Sequence, residues 1–379
     1  MANPSDYAIL QVLPQLETGG VEQVVIELTE AVARTGARAL VASLPGKLVP
    51  AIERAGGTHI ALDLKSRNPF RMSWAGDQLA KLIKSQKISL IHAHSRAPAF
   101  AARSASRRCG IPFVTTYHGA YNQHGLLKRR YNAVMASGDR VIAISQFIAA
   151  LVRERHHIGD DKLRIIPGGV DAVRFDPDAI NGGRVERLAR AWRLPDGAPT
   201  VMLPARLTSW KGQSIAITAL AQLRHRDALL ILVGSAQGHE AYLKSLSDLA
   251  QSLDVAKRVL FAGDCADMPA AFKLADVVVS ASTDPEAFGR TIVEAQAMRR
   301  LVIATDHGAA QETIRAGETG WLVAPGDPAA LAAAIDDALD LPIEARIARG
   351  AAARDFVSAR YSVAAMQAGN LAVYHELLG

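Results

Sequence analysis

Cysteine is nearly absent from the sequence, which has Cys109 and Cys265 as its two cysteines among 379 residues. They lie far apart, and neither has a second Cys or a His at metal-ligand spacing, so a disulfide framework and a cysteine zinc site are excluded. A reducing compartment fits best. The sequence also lacks any apolar run near the roughly 20 residues needed to cross a bilayer, and residues 1–7 carry no feature of a secretion signal. We therefore expect a cytoplasmic protein.

The rest of the composition is that of an ordinary globular protein, with 49% hydrophobic and 21% charged residues. A chain of this length exceeds what one hydrophobic core usually organises, which favours two domains. Short β-branched apolar runs alternate with longer segments of helical period, and this pattern is typical of βα units in a parallel sheet. The first series of predicted strands is 8–13, 39–43, 60–62, 90–93, 113–117, 141–144 and 164–166.

Proline and glycine cluster between residues 167 and 199, where the alternation breaks, so we place the domain junction there. A second series of predicted strands follows at 200–204, 229–233, 259–262, 277–280, 302–305 and 321–323. The sequence therefore predicts an α/β protein of two doubly wound, Rossmann-like domains facing across a cleft. We expect the domains at 1–170 and 200–358, a linker at 171–199, and a last helix in 359–379 that crosses back to the first domain.

The net charge of +6 is unevenly distributed along the chain. Through Val170, 22 Lys and Arg stand against 12 Asp and Glu, whereas the remainder has 21 against 25. Much of the excess lies in one basic set, Arg103, Arg107, Arg108, Lys128, Arg129 and Arg130. Such a basic face could meet anionic lipid headgroups, phosphorylated glycan or nucleic acid. A solvated surface that keeps the protein soluble explains the charge equally well.

Two motifs follow predicted strands, at the edge of an open parallel sheet where ligands bind. Gly19 and Gly20 come after the first strand, and glycines at a helix start let backbone amides approach a phosphate. A plain loop turn is an equally good interpretation of that pair. Arg206 and Lys211 follow the strand at 200–204. Two cations at a strand end can neutralise a diphosphate from both sides, so they predict a clamp for a leaving group.

Two glutamates follow the strand at 277–280. Glu286 stands in the loop before a predicted helix that starts near Arg290, and Glu294 lies in the second turn of that helix. A carboxylate accepts hydrogen bonds from vicinal hydroxyls, which suits a sugar at one end of a ligand and a ribose at the other. The amides around Phe288 offer an anion site at the helix N-terminus. For the two carboxylates alone, the favoured interpretation of Glu294 is an ordinary helical residue.

The order of these motifs resembles the retaining glycosyltransferases of family 4, or glycosyltransferase group 1, which have the GT-B fold. The resemblance covers nearly the whole chain, and its most specific element is the spacing from Glu286 to Glu294. Where many members have Pro-Asn-Gly-Val-Asp, residues 167–171 read Pro-Gly-Gly-Val-Asp. The motifs that carry the resemblance are Gly19-Gly20, Thr116-Tyr117-His118-Gly119, Arg206 with Lys211, Glu286-Ala287-Phe288-Gly289, Glu294, Ala304-Thr305-Asp306-His307-Gly308 and Gly320-Trp321-Leu322-Val323.

The resemblance implies a role for each matched residue. Arg206 and Lys211 would hold the diphosphate of a nucleotide-sugar donor, and Glu294 would hold the ribose hydroxyls. Glu286 would hold hydroxyls of the transferred sugar, while the Gly19-Gly20 loop closes over the phosphates. The implied catalytic residues are His118, Arg206, Lys211 and Glu286, and further donor contacts come from Ala287, Phe288 and Gly289.

Retention without an obvious nucleophile suggests a front-face displacement, in which the departing phosphate accepts the proton of the acceptor. Catalysis would then depend on positioning and on stabilising the charge of the leaving group. Because the two cations would replace a metal, we expect neither a metal nor a cofactor. The Asp176-Pro177-Asp178 motif falls in the junction rather than at a strand end, so we do not interpret it as a metal site.

The acceptor is expected on the first domain. His92-Ala93-His94 alternates along a strand with no third ligand nearby, which disfavours a metal site and places His94 on the acceptor side. The expected acceptor is a glycan or lipid-linked sugar, such as the phosphorylated core of lipopolysaccharide, and no nucleic acid partner is expected. The enzyme would then act in cell-envelope polysaccharide or lipopolysaccharide biosynthesis, peripherally at the inner face of the cytoplasmic membrane. The basic residues assigned to the acceptor are Arg107, Arg108, Arg129 and Arg130.

Two other functions remain open at this point. A nucleotide-sugar epimerase of the same architecture would cleave the donor without an acceptor, and product analysis separates it from a transferase. A non-catalytic module that binds anionic glycan would bind acceptor without turning over a donor. The sequence leaves the base of the donor open among UDP, GDP and ADP, as it does the sugar, the linkage and the oligomeric state.

Overall fold

The computed structural model describes residues 7–17, 19–123, 125–236 and 238–379. It divides into two compact units: one runs to Gly168 and includes Val363–Gly379, and the other is Gly169–Ser362. Each unit contains one parallel sheet with helices between its strands. Over the described residues, none of the helices combines the length and the apolar character that a bilayer crossing requires.

The first unit has seven parallel strands, and all seven were predicted from the sequence to within a few residues. They are β1 (Ala8–Gln15), β2 (Arg38–Leu44), β3 (Thr58–Ala61), β4 (Leu90–Ala93), β5 (Phe113–Tyr117), β6 (Arg140–Ala143) and β7 (Leu163–Ile165). The sheet order is β3-β2-β1-β4-β5-β6-β7. The helices are α1 (Gly20–Arg34), α2 (Val49–Arg54), α3 (Pro69–Ser85), α4 (Arg96–Cys109), α5 (Leu126–Asn132) and α6 (Gln146–His156).

The second unit repeats this arrangement with six parallel strands, again as predicted. They are β8 (Thr200–Pro204), β9 (Leu229–Val233), β10 (Val259–Gly263), β11 (Val277–Ser280), β12 (Leu301–Thr305) and β13 (Trp321–Val323). The sheet order is β10-β9-β8-β11-β12-β13. The helices are α7 (Gly182–Trp192), α8 (Gln213–Gln222), α9 (Glu240–Ser252), α10 (Met268–Leu274), α11 (Arg290–Ala297), α12 (Ala310–Thr313), α13 (Pro328–Leu339) and α14 (Ile343–Arg360).

The strand order decides where ligands can bind in each unit. The order reverses direction beside β1, whose neighbours are β2 and β4, and beside β8, whose neighbours are β9 and β11. At such a topological switch point the connections leave toward opposite faces of the sheet and open a crevice beyond the carboxyl ends of the strands. Functional side chains are therefore expected after β1 and β4 in the first unit, and after β8 and β11 in the second.

The segment between the two predicted domains is ordered and belongs to the second unit. It contains α7, which begins at an Asn181 cap and is joined to α10 by the Arg184 guanidinium, 2.6 Å from the Asp267 carboxylate. None of the residues of α7 is buried. The glycines at its start, and the prolines before and after it, are typical turn residues, so the predicted linker included this helix.

The last helix, α15 (Val363–Leu378), belongs to the first unit. Met366, Val373 and Tyr374 are buried in one cluster with Leu28 of α1 and Leu90 of β4. Its Glu376 carboxylate lies 2.7 Å from the Arg140 guanidinium and 2.6 Å from that of Arg164, and these partners lower the pKa of Glu376 to about 2. The chain therefore returns to the unit in which it began.

Candidate active site

The carboxyl ends of β8 and β11 bring a lysine and a glutamate into contact. Lys211 ends a short 3-10 helix after β8, and its Nζ lies 2.5 Å from Oε1 of Glu286, in the loop after β11. The same oxygen accepts a hydrogen bond of 2.6 Å from the Ser282 hydroxyl. Both charged side chains are about one-fifth exposed, at 20% and 17%. They line a small cavity together with Leu203, Pro204, Ala205, Val279, Ser280, Ser282 and Thr291.

The position of Lys211 is set by its neighbours in sequence. Its ammonium group lies 4.1 Å from the centre of the Trp210 ring, a cation–π contact that holds the side chain near the cavity. Gly212 has a positive φ of 72°, and a Cβ atom there would stand 1.8 Å from the Ala281 carbonyl oxygen. The Thr283 amide also donates to the Trp210 carbonyl over 2.7 Å. The two strand-end loops are thus joined backbone to backbone, which fixes the lysine opposite the glutamate.

Glu286 is held from the other side by the loop after β12. The Ala309 amide donates to the Glu286 carbonyl over 2.9 Å. Gly308, at a φ of 62°, lies so close that a Cβ atom would come within 2.5 Å of that carbonyl oxygen. Nε2 of His307 contacts the Ser282 carbonyl and the Thr305 hydroxyl, both at 2.9 Å. This explains why Asp306-His307-Gly308 belongs with the two glutamates in the sequence pattern.

Glu294 lies on α11, as predicted, with its carboxylate 3.0 Å from Nε of Arg290 and only 13% exposed. Gly289 begins the helix with a φ of 79°, a left-handed conformation that favours glycine. Phe288 is buried and packs edge-to-face on Tyr361, with ring centres 5.4 Å apart. The Glu-Ala-Phe-Gly motif therefore anchors the start of the helix that carries the second glutamate.

Arg206 and the glycine pair occupy loops at the two switch points. Arg206 follows β8 and is exposed; within the residues that the structure describes, its guanidinium has no hydrogen-bond partner, while its carbonyl accepts from Gln213 over 2.9 Å. Gly19 caps α1 in an extended conformation, and Gly20 is the first helical residue. Thr18, which precedes them, lies outside the described residues. Ample room surrounds Gly20, since no atom lies within 4 Å of a Cβ placed there.

His118 follows β5 and contacts His94, which follows β4. Nδ1 of His94 lies 3.0 Å from Nε2 of His118, and Nε2 of His94 lies 3.1 Å from Oε1 of Gln11 on β1. His94 is only 1% exposed, so it cannot line an open acceptor surface and the prediction for its side chain is corrected. It supports His118, which is partly exposed. Burial lowers the pKa of His118 to about 4 and that of His94 well below its ordinary value.

The basic residues assigned to the acceptor do not form one surface. Arg107 and Arg108 lie in the last turn of α4, which leads into the amino end of β5. Arg129 and Arg130 lie on α5, whose last residue, Asn132, accepts a 2.9 Å hydrogen bond from the first residue of α4. The 14 residues of α4 at 1.5 Å each make this helix about 21 Å long, with Arg107 and Arg108 at one end and its hydrogen bond to α5 at the other. The predicted single basic face is therefore wrong, because it joined opposite ends of one helix.

Both aspartates of the Asp176-Pro177-Asp178 motif form ion pairs with arginines. Asp178 pairs with Arg299 at 2.8 Å, and Asp176 lies 3.4 Å from Arg354. Across residues 7–17, 19–123, 125–236 and 238–379, no group of three or more His, Cys, Asp or Glu side chains is placed to hold a metal ion. The motif serves to tie the start of the second unit to its own helices.

Three residues that support the candidate side chains, two in the second unit and one in the first, were not identified from the sequence. Ser282, buried at 1%, has a hydroxyl that orients Glu286. Trp210 stacks on Lys211. Gln11 is also 1% exposed. It is a polar residue within the apolar strand β1, and this break in the apolar run is the sequence feature that could have identified it.

Comparison with known proteins identifies the family. The family model for glycosyl transferases group 1 matches residues 185–356, and that for glycosyltransferase family 4 matches residues 18–174. The GDP-mannose-dependent alpha-(1-6)-phosphatidylinositol monomannoside mannosyltransferase of Mycobacterium tuberculosis is 30% identical over 298 residues, covering 75% of each chain. The chain belongs to the group 1 glycosyltransferases.

Solved structures extend this likeness over both units of the glycosyltransferase. A glycosyltransferase from Rickettsia africae is 34% identical, with a TM-score of 0.89 over 98% of each chain. HepE from Anabaena, solved in complex with UDP and glucose, is 25% identical, with a TM-score of 0.86 over 98% of this chain and all of that one. The predicted family and the predicted two-domain α/β GT-B fold are both confirmed.

Proposed function

We propose that this glycosyltransferase moves a sugar from a nucleotide-diphosphate sugar to a glycan or lipid-linked acceptor with retention of anomeric configuration. The observation that carries the proposal is the contact between Lys211 and Glu286 at the β8–β11 switch point, with Glu294 following on α11. A cation and two carboxylates in this order suit a ligand with hydroxyls at both ends and phosphates in the middle.

The donor roles follow from these positions. Arg206 and Lys211 bind the diphosphate, and the exposed guanidinium of Arg206 is available to it. Glu286 uses Oε1 for Lys211 and Ser282, which leaves Oε2 to accept from hydroxyls of the transferred sugar. Glu294 binds the ribose, and the Gly19-Gly20 loop approaches the phosphates. His118 contacts the sugar.

We propose a front-face displacement that needs no metal. As the bond to the sugar breaks, negative charge grows on the departing diphosphate, and Lys211 and Arg206 stabilise it. The departing phosphate oxygen takes the proton of the acceptor hydroxyl, so no protein base is required. The carboxylates of Asp176 and Asp178 form ion pairs with arginines. This supports the proposal that Lys211 and Arg206, and not a metal held by these aspartates, neutralise the diphosphate.

We also propose that the acceptor is membrane-associated and that α5 faces the lipid. Leu126 and Leu127 are 78% and 84% exposed, and the next three residues, Lys128, Arg129 and Arg130, are exposed cations. Exposed apolar side chains beside cations suit an anionic lipid surface. The phosphatidylinositol monomannoside named for the Mycobacterium tuberculosis relative is a lipid of this kind. A role in building envelope glycans would follow.

Two similar proteins differ in the nucleotide base of the ligand or donor that is named for them. HepE from Anabaena was solved with UDP and glucose, whereas the Mycobacterium tuberculosis relative is named as GDP-mannose-dependent. A screen of UDP-, GDP- and ADP-sugars by thermal shift and slow hydrolysis, with EDTA present, decides this point. We expect one donor class to stabilise the protein and to be hydrolysed.

Glu294→Gln is the test variant in that screen, and Glu344→Gln, an exposed glutamate in the first turn of α14, is its control. Because a hydrogen bond to a charged group contributes about 1.5–3 kcal/mol, Glu294→Gln should raise the donor KM about 10- to 100-fold. Glu344→Gln should match the wild type. If no donor shifts the melting temperature, the transferase proposal fails. If turnover vanishes in EDTA and returns with Mg²⁺, metal independence alone is wrong.

A further inference from the structure

Three buried polar side chains connect His118 to the interior of the first unit. The path runs from Nε2 of His118 to Nδ1 of His94 at 3.0 Å, and from Nε2 of His94 to Oε1 of Gln11 at 3.1 Å. Nε2 of Gln11 then reaches the Thr29 hydroxyl at 3.0 Å. Gln11, His94 and Thr29 are at most 1% exposed, so water does not compete for these contacts. Each hydrogen bond therefore needs one donor and one acceptor from within the chain.

The orientation of the Gln11 amide is fixed by α1. Its Nε2 also lies 3.3 Å from the Val25 carbonyl, which can only accept. The Thr29 hydroxyl gives its own proton to the same carbonyl over 2.7 Å, so it must accept from Gln11. Turning the amide over would place Oε1 against a carbonyl oxygen and against a hydroxyl with no free proton. The Gln11 oxygen therefore faces His94.

This orientation determines the protons of both histidines. Because the Gln11 oxygen is an acceptor, Nε2 of His94 carries a proton and donates it. A neutral imidazole has one proton, so Nδ1 of His94 is an acceptor and His118 must donate from Nε2. Nδ1 of His118 is then left with its lone pair. No hydrogen-bond partner for that atom exists among the residues that the structure describes, so it is available to a ligand.

Burial supports the neutral state assumed for each ring. The rings of His92 and His94 lie 4.1 Å apart, and a charge on either would have no carboxylate beside it in this network. Burial lowers the pKa of His92 to about 3 and that of His118 to about 4. Near neutral pH, all three rings therefore carry a single proton.

We propose that Gln11 is a positioning residue that, through His94, locks His118 in the tautomer protonated at Nε2, so that its Nδ1 accepts a hydrogen bond from the transferred sugar. The statement about the sugar rests on the proposed function, whereas the tautomer does not. An acceptor nitrogen pairs with a hydroxyl and repels a carboxylate. The donor sugar at this position is thus a neutral hydroxylated sugar rather than a uronic acid.

The tautomer is tested without any donor, by imidazole ¹⁵N NMR of histidine-labelled protein at pH 7.5. His118→Gln identifies the His118 signals by their loss. In the wild type, we expect the proton of His118 on Nε2 and an unprotonated Nδ1. In Gln11→Met, His94 loses its acceptor, so its proton moves to Nδ1 and His118 reverses to protonation at Nδ1. Gln251→Met, at an exposed position of α9, is the matched control and should leave the spectrum unchanged.

Two outcomes would overturn the proposal: a wild-type His118 protonated at Nδ1, or a Gln11→Met variant with the His118 tautomer unaltered. The wild-type spectrum decides even if Gln11→Met folds poorly. With the donor found in the screen, Gln11→Met should lower kcat/KM about tenfold, while binding of the nucleoside diphosphate alone stays unchanged. Equal weakening of both would show a merely structural role. If no donor binds, the proposed function and the contact with the sugar fail, whereas the NMR result still decides the tautomer of His118.

Discussion

At the scale of single residues, Glu286 concentrates two interactions on one oxygen. Oε1 contacts the Lys211 ammonium group and accepts from the Ser282 hydroxyl. Lys211 is therefore shared between Glu286 and the diphosphate that we assign to it. Removing the charge of Glu286 should weaken the hold on the sugar and release the lysine toward the phosphates, and these two effects have opposite signs.

We therefore predict that Glu286→Gln lowers kcat/KM for the donor about 10- to 100-fold, the range expected for hydrogen bonds to a charged group. Binding of the nucleoside diphosphate alone should be unchanged or tighter, because Lys211 is no longer paired. Steady-state kinetics and calorimetric titration of the diphosphate measure the two quantities. A loss of diphosphate affinity equal to the loss in kcat/KM would contradict the assigned roles, and Glu344→Gln serves again as the control.

The sequence predicted the positions of the candidate site residues better than those of the residues that support them. Lys211, Glu286 and Glu294 were proposed because each follows a predicted strand of a parallel sheet, and they lie after β8 and β11 as expected. Gln11 was missed, since its importance lies in contacts with His94 after β4 and with α1. Ser282 was missed because no motif marks a hydroxyl that donates to a carboxylate four residues further along the same loop. His94 was assigned to the acceptor for a related reason, because alternation along β4 shows that it shares a face with His92 but not which helix covers that face.

At the scale of elements, α5 presents two exposed leucines beside three cations, and this combination predicts membrane association. A charge near an anionic membrane contributes about 1 kcal/mol, so Arg129→Gln with Arg130→Gln should weaken binding to vesicles of anionic lipid about 30-fold. Leu126→Ser with Leu127→Ser should also reduce binding, including to vesicles of lower charge. Co-sedimentation with phosphatidylglycerol and phosphatidylcholine vesicles measures both effects.

The matched control lies at the other end of α4. Arg107→Gln with Arg108→Gln removes the same charge from the edge of the sheet opposite α5, so it should change vesicle binding far less. Equal losses from both double variants would mean that net charge, and not α5, governs association. Unchanged binding in all three double variants would remove the membrane proposal.

Strands formed by short, buried apolar runs, such as β8, β9 and β11, were predicted well from the sequence. Helix α7 was taken as part of a linker, because Gly182 and Gly183 stand at its start within the proline- and glycine-rich segment 167–199. Arg107 and Arg129 were also assigned to one surface without regard to the fact that Arg107 lies in the last turn of α4 and Arg129 on α5.

At the scale of the molecule, alternation of strands and helices predicted two parallel sheets, but not the order of strands within them. The order depends on which crossover passes over which face, and that is decided by long-range packing. The order nevertheless decides where the candidate sites lie, since β1 and β8 become the switch points only because β4 and β11 pair with them. The carboxyl ends of those strands carry Gly19, His94, Lys211 and Glu286.

The buried histidines of the first unit predict that the molecule loses stability in mild acid. The folded pKa of His92 is about 3 and that of His118 about 4, both below the unfolded value of 6.5, and that of His94 is also well below it. Below pH 6.5 the unfolded chain therefore binds protons that the folded chain does not, so stability falls as pH decreases. Above pH 6.5 the contribution is fully present and constant.

Between pH 6.5 and pH 5, each such histidine should reduce the free energy of unfolding by up to about 1.4 kcal/mol per pH unit. Thermal unfolding across this range, with hydrogen exchange of the β4 and β5 amides to report on the first unit, measures the loss. His118→Gln removes one titrating ring, so its stability should depend less steeply on pH, whatever its stability at pH 7.5. A wild-type protein equally stable at pH 7.5 and pH 5 would show that these rings take up protons as readily in the folded chain as in the unfolded one, which would contradict the lowered pKa values.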